Sequence, residues 1–248
     1  DIYLGDKFPV IAVAGNHEEK AWDSGYKDVV RKQIELLPKG TCTSSVPENL
    51  GLYFDCVLGP VHFVFATPDI RIAQAEKTKK PEDFLKKQLK QSKSPWNICA
   101  WHKVHEGMQL GDKKDKISWD IYEACRASGA YIVSGHDHVY ARSRTMFDFP
   151  KRIFATSTVD IVQVVPGKTG AVIVGLGGKD IRPRAPSQLV TPWWARVYTA
   201  DILKAETEGQ RKNIAGVLFC TFERDKKSAP CYFKMTDGKI KDEFTLMR

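Results

Sequence analysis

The chain has 248 residues, enough for one large domain or two small ones with a substantial core. Its hydrophobic fraction of 42% and charged fraction of 27% are ordinary for a globular protein, and no apolar run approaches the roughly 20 residues of a membrane-spanning helix. The net charge of +8 sits largely in Lys-rich helical stretches without interleaved aromatics; these read either as solvated helix faces or as a field that attracts polyanions, and nucleic-acid binding is not inferred.

In chain order, Asp1-Ile2-Tyr3-Leu4 is strand-like, so the chain opens as a mature or trimmed N-terminus would. Val10-Ile11-Ala12-Val13-Ala14 is a strand-like run that leads into Gly15-Asn16-His17-Glu18. Residues 26–37 have helical spacing at Val29, Val30, Ile34 and Leu37, and Pro38-Lys39-Gly40 stops them. Residues 52–58 and 61–66 predict a hairpin about Gly59-Pro60. Residues 81–91 predict a helix, and 96–101 a strand that ends at His102, with His105 three residues on. Residues 117–128 predict a helix capped by Gly129. Ala130-Tyr131-Ile132-Val133-Ser134 predicts a buried strand entering Gly135-His136-Asp137-His138.

Beyond that point the pattern changes. Val172-Ile173-Val174 enters the Gly-rich turn Gly175-Leu176-Gly177-Gly178, with no G-K-[ST] to mark a phosphate loop. Residues 182–194 read as Pro- and Trp-bearing loop. Residues 216–223, 231–235 and 244–246 predict a terminal antiparallel meander. The six cysteines contain no C-x-x-C, which argues against a zinc ribbon. Cys220 and Cys231 are placed to pair across a hairpin, Cys42 and Cys56 to pair around a loop, and Cys99 reads as a buried thiol.

The histidines carry the chemical signal. Of six, five stand just after apolar runs; His62, inside such a run, reads as a core or sheet-face residue without a role. His136 and His138 are two positions apart at a strand end, so both rings can reach one metal site; taken alone, the tetrapeptide reads equally as a polar loop.

The order G-N-H-E, then a strand ending in His, then G-H-D-H resembles the calcineurin-like metallophosphoesterases. It is most similar to their purple acid phosphatase branch, through Gly135-His136-Asp137-His138-Val139-Tyr140-Ala141-Arg142-Ser143 and through Phe84 to Leu89 with Ser94-Pro95-Trp96. The resemblance runs from about Phe8 onward. It implies one α/β catalytic domain over 1–248, a four-layer α/β/β/α sandwich with two mixed sheets, in which 171–248 supplies antiparallel strands that complete the sheets. It implies two metal ions, with iron, zinc or manganese suited to the ligands, and hydrolysis of a phosphomonoester on a small molecule or protein. Asn16, His102 and His136 would bind one metal, His138 the other, and Asp6 would bridge them. His17 would face the substrate, His105 would be a second substrate-facing imidazole, Glu18 would orient the His17 loop, and Tyr140 and Arg142 would support the His136–His138 loop. Branch members are mostly secreted or vesicular, which implies a secreted, vesicular or lysosomal setting.

One departure bears on activity. The family's first metal motif is absent, and only ten positions separate Asp6 from Asn16, too few for the crossover between parallel strands. Either residues are missing between Asp6 and Phe8, or Asp6 is not the bridging ligand. The alternative to an enzyme is a phosphatase-like scaffold or binding protein with part of its metal site lost.

Overall fold

The structure is a computed structural model that describes residues 5, 8–72, 80–206 and 215–248. Two mixed sheets face each other. The larger has the order β1 (Cys42–Thr43), β2 (Phe54–Leu58), β3 (Val61–Phe65), β4 (Trp96–Trp101), β5 (Tyr131–Ser134), then β10 (Ala171–Val174), β6 (Tyr140–Ser143) and β11 (Trp194–Tyr198). Its centre, β3 to β5 and on to β10, is parallel. The smaller sheet has the order β12 (Gly216–Cys220), β13 (Ser228–Met235), β14 (Ile240–Met247) and β9 (Ile161–Gln163), with β9 parallel to β14. A short hairpin, β7 (Met146–Asp148) with β8 (Ile153–Phe154), stands apart.

Strand alternation divides the interior into two cores. One face of the large sheet carries Val64, Cys99, Trp101, Ile132 and Ile173. It packs on α1 (Lys27–Glu35), α2 (Pro81–Gln91) and α3 (Trp119–Ala127) through Val30, Ile34, Leu85, Leu89, Ile121 and Cys125. The other face carries Val61, Trp96, Ile98, Tyr131, Tyr140 and Val172, packed on Val162, Ala229, Cys231, Phe233, Phe244 and Leu246 of the small sheet. This is the expected α/β sandwich of two mixed sheets. A short α4 (Ala200–Glu206) follows β11.

Local chemistry accounts for the helix ends. Helix α2 opens with Pro81 at its first position and Glu82 and Asp83 in its first turn, where a fixed φ and negative charge are favourable. Ser118 caps α3 by accepting from the Asp120 amide. Gly129 follows α3 with a φ of 65°, and a Cβ there would lie 2.5 Å from the Val165 carbonyl carbon. Glycine is therefore required on two counts.

Several sequence expectations change. Val10 to Ala14 joins no ladder among the described residues; Ala14 donates one bond to the Gly51 carbonyl (3.0 Å), and Ile11, Ala12 and Val13 pack on the helical core as an extended segment. The loop read over 182–194 ends in β11, which pairs with β6 through a bulge that alternation alone did not reveal. The antiparallel meander has a parallel fourth member, β9. Cys99 is not a free thiol: it forms a disulfide with Cys125, tying β4 to α3, beside the Cys42–Cys56 and Cys220–Cys231 bridges. Burial of both sulfurs between sheet and helix brought the pair together across 26 residues. Asp6, the expected bridging ligand, and the Asp6–Lys7 junction lie outside the described residues.

The two sheets are joined by a buried ion pair. Arg142 on β6 donates through Nε (2.6 Å) and Nη2 (2.9 Å) to the two oxygens of Asp242 on β14, and Tyr140 donates its hydroxyl to the same carboxylate (2.7 Å). Both charged side chains are fully buried. Removing one partner strands a buried charge, which costs about 3–5 kcal/mol. Asp242→Ala is therefore expected to lose about that much unfolding free energy in urea, whereas Arg142→Met combined with Asp242→Leu should lose less than Asp242→Ala alone. A double variant no more stable than the single one would contradict this account.

Candidate metal centre

Strands β4 and β5 end level with each other, with Trp101 paired to Ser134. His102 and Gly135-His136 therefore leave the sheet side by side, and the Gly135 amide donates to the His102 carbonyl at 3.2 Å. The Gly15-Asn16 turn comes over the same edge. The Gly15 amide donates to Glu18 Oε2 at 2.8 Å, and a Cβ on Gly15 would lie 2.9 Å from both that oxygen and the His102 ring. A side chain at that position would push Asn16 away from His102.

Three donor atoms converge there. Asn16 Oδ1 lies 2.9 Å from His102 Nε2, and His136 Nδ1 lies 3.1 Å from the same nitrogen. Atoms bound to one ion at about 2.0–2.2 Å and about 90–110° apart are about 2.8–3.6 Å from each other, so these separations suit a shared metal. Two imidazoles and a carboxamide oxygen are a donor set for zinc, iron or manganese. Among the described residues no three His, Cys, Asp or Glu side chains alone form such a cluster; the Asn16 carboxamide completes this set.

The rings are held without charge. Burial lowers the His102 pKa to about 4; Glu18 opposes the shift, and Lys113, His17 and Lys103 add to it. Burial likewise lowers His136 to about 4, with Asp115 opposing and Lys113 adding. Both imidazoles keep a free lone pair at neutral pH, as ligation requires. His136 has a φ of 62°, uncommon for a residue with a Cβ. That conformation is held by the turn bonds from Asp137 N to Gly135 O and from Val139 N to Asp137 O, both 2.7 Å.

The remaining expected residues fall around this triad. His17 is exposed and is close enough to His102 for their charges to interact. His138 shares its Nδ1 proton with the Asp180 carbonyl at 3.0 Å, which leaves the Nε2 lone pair free. Burial and Arg182 lower its pKa. His105 has structural work: its ring stacks on Trp119 with centroids 3.6 Å apart, and its Nδ1 accepts from the Gly107 amide at 2.8 Å. None of its contacts among the described residues reaches the triad.

Sequence reading missed the loop after His105. The sequence assigns no element and no role to Gln109-Leu110-Gly111-Asp112-Lys113-Lys114-Asp115. In the structure the Asp115 carboxylate is 3.0 Å from His136 Nε2, and Gln109 Nε2 donates to it at 2.7 Å. Lys103 Nζ lies 2.8 Å from Asp69 and 3.7 Å from Asp115. Asp137, fully buried, fastens the loop by accepting from the Leu110 and Gly111 amides at 2.8 and 2.9 Å. On its other side Gly175 passes so close that a Cβ would lie 1.8 Å from the Asp137 carbonyl oxygen.

An open α/β sheet whose candidate metal ligands gather on loops beyond the strand ends defines a recognisable class. The chain belongs to the calcineurin-like phosphoesterase family, whose model matches residues 2–140. Its fold is similar to that of the purple acid phosphatase PPD1 from yellow lupin (Lupinus luteus) seeds, with a TM-score of 0.65 and 18% identity over 98% of this chain and 40% of that one. PhoD matches more loosely, with a TM-score of 0.47 and 13% identity over 88% of this chain and 44% of PhoD. The chain thus spans 40–44% of the length of these two structures. A search of curated proteins found no significant match.

Two outcomes are expected. The unfolded chain takes up protons on His102, His105 and His136 below about pH 6.5, whereas the folded chain does so only near pH 4. The stability that neutral rings lend is thus present above pH 6.5 and lost as pH falls toward 4, so the urea midpoint of metal-free protein should be lower at pH 4.5 than at pH 7. An unchanged midpoint would refute this. Gly175→Ala should cost at least about 3 kcal/mol, since its methyl group meets backbone rather than a movable side chain.

Proposed function

We propose that the protein is a metal-dependent phosphoric ester hydrolase acting on phosphomonoesters. The convergence of Asn16 Oδ1, His102 Nε2 and His136 Nδ1 carries this reading, in a chain of the calcineurin-like phosphoesterase family. Asn16, His102 and His136 would hold one ion and His138 a second, with Asp6 as the bridging candidate. Such a pair, of iron, zinc or manganese, supplies Lewis-acid stabilisation of the phosphoryl oxygens and lowers the pKa of the attacking water.

The chain's own groups do the rest. His17, exposed at the rim, donates a hydrogen bond to the phosphoryl group or protonates the leaving alcohol. Glu18 holds the turn that presents His17 by accepting from the Gly15 amide. Burial excludes water from His102 and His136 and keeps them neutral. His105, fixed against Trp119, serves best by shaping the loop between His102 and Asp115. Three disulfides fit an oxidising compartment, so a secreted or vesicular setting is proposed. A non-catalytic binding role is the second reading, since His138 has no carboxylate partner among the described residues.

His136→Ala is expected to bind Zn²⁺ about 10–100-fold or more weakly in equilibrium dialysis, because one of three ligands is gone. His17→Ala should keep its metal and hydrolyse an aryl phosphate about 10²–10⁴-fold more slowly. Full metal content with undiminished turnover in both variants would reject the assigned site. A parent chain that binds metal without turnover would favour the binding role.

A further inference from the structure

The eleven residues from Ala185 to Ala195 carry no charge, in a chain whose charged fraction is 27%. They leave the rim of the candidate metal centre, where the Arg182 amide donates to the His138 carbonyl at 3.0 Å and the Ala185 amide to the Leu110 carbonyl at 2.8 Å. They return to the large sheet at β11, with Trp193 and Trp194 packed on the helical core. The crest between these anchors turns outward. Leu189 is 55% exposed and Val190 85%, the highest value of any large apolar side chain among the described residues. A single exposed apolar residue needs no explanation. Two in succession at the crest of an uncharged loop, with charge gathered at its base, form a pattern.

The crest suits a medium poorer in water. Pro186 and Pro192 bring no N–H to satisfy. The amides of Gln188, Leu189 and Trp194 donate to the carbonyls of Ala185, Pro186 and Thr191 at 2.8, 3.4 and 3.0 Å, and the Thr191 hydroxyl donates to the Gln188 carbonyl at 3.4 Å. Backbone groups paired within the loop lower the cost of leaving water.

The base is cationic. Arg144 donates its amide to the Trp193 carbonyl at 2.8 Å and its Nε to the Pro192 carbonyl at 3.1 Å. The Arg152 guanidinium lies over the Trp193 ring, 5.0 Å from its centroid. Neither arginine joins an ion pair among the described residues, whereas Arg184 is matched by Asp201 at 2.9 Å and Arg196 by Asp160 at 3.5 Å. The chain as a whole carries +8. An apolar crest above a collar of guanidinium and indole has the layering of an anionic bilayer surface, acyl boundary below and headgroups above. An apolar groove on a protein would match the crest and leave the collar without counter-charge.

We infer that the 185–195 loop docks the protein on an anionic phospholipid bilayer, with Leu189 and Val190 entering the boundary between headgroups and acyl chains and Arg144 and Arg152 meeting the headgroups. Docking of this kind is independent of hydrolysis at the metal centre, whose rim it would turn toward the lipid.

The test is flotation of the full chain with vesicles of phosphatidylcholine, alone or with about one-third phosphatidylserine. The parent should bind the anionic vesicles at least about 10-fold more tightly than the neutral ones. Leu189→Ser with Val190→Ser should weaken binding to the anionic vesicles at least about 10-fold, with the urea midpoint unchanged because both side chains stand in solvent. Arg144→Gln with Arg152→Gln should reduce the preference for phosphatidylserine. Arg144→Lys with Arg152→Lys should keep most of it, which separates lost charge from a disturbed loop. Lipids brominated in their acyl chains should quench a Val190→Trp variant more than the parent. No binding by the parent would overturn the inference. Equal binding by the parent and the Ser double variant would do so as well, since adsorption would then follow from net charge alone.

Discussion

A guanidinium and a carboxylate with no access to water depend on each other, and the sandwich is arranged around that need. Arg142 and Asp242 are 100 positions apart in the chain, on different sheets. Burying either alone would be far more costly than burying the pair. Tyr140 adds a hydroxyl donor and stacks on Phe233, and the Arg142 guanidinium lies over the Phe244 ring. Strand β6 is thereby fixed to the small sheet immediately after the His136–His138 turn. The turn has no freedom at its exit, and β5, paired on both sides, gives it none at its entrance.

That restraint explains how an unusual backbone survives at His136. A left-handed conformation in a residue with a Cβ persists only where its surroundings hold it. Here they do so from several directions. Asp137 anchors the neighbouring loop, Gly175 closes from behind, and the Gly175 amide donates to the Val139 carbonyl at 2.9 Å. The geometry that brings the Asn16 carboxamide and the His136 ring within 3.1 Å of His102 Nε2 is thus a product of sheet register and turn packing more than of any attraction among the three groups.

Much of this was legible in the residue pattern. The apolar runs before His102 and Gly135 mark strands because their length and β-branched content leave few alternatives, and both ligand-bearing turns follow from them. Helix α2 was read with its observed bounds because Pro81 starts it and the Leu85–Leu89 spacing defines its buried face. What escaped was non-local. Asp242 falls in a charged turn between two predicted strands, and nothing nearby in sequence announces Arg142. Asp115 and Asp137 receive no role from the sequence because their partners are a distant ring and distant amides. Cys99 was read as a thiol because its partner lies across a helix and not a hairpin. The run before Gly15 shows the opposite error: it has a strand's composition but no ladder partner among the described residues.

The Cys99–Cys125 bond closes a covalent ring, and the ring's contents are uneven in importance. His102, Lys103, His105, Gln109, Lys113 and Asp115 all lie inside it. A peptide bond cut anywhere on that ring opens it without releasing a fragment. A nicked molecule would stay one covalent species under oxidising conditions, heavier by one water, and yield two chains only after reduction. Nicking and loss of the site are thus separate events, and only the second requires the thiols to be freed.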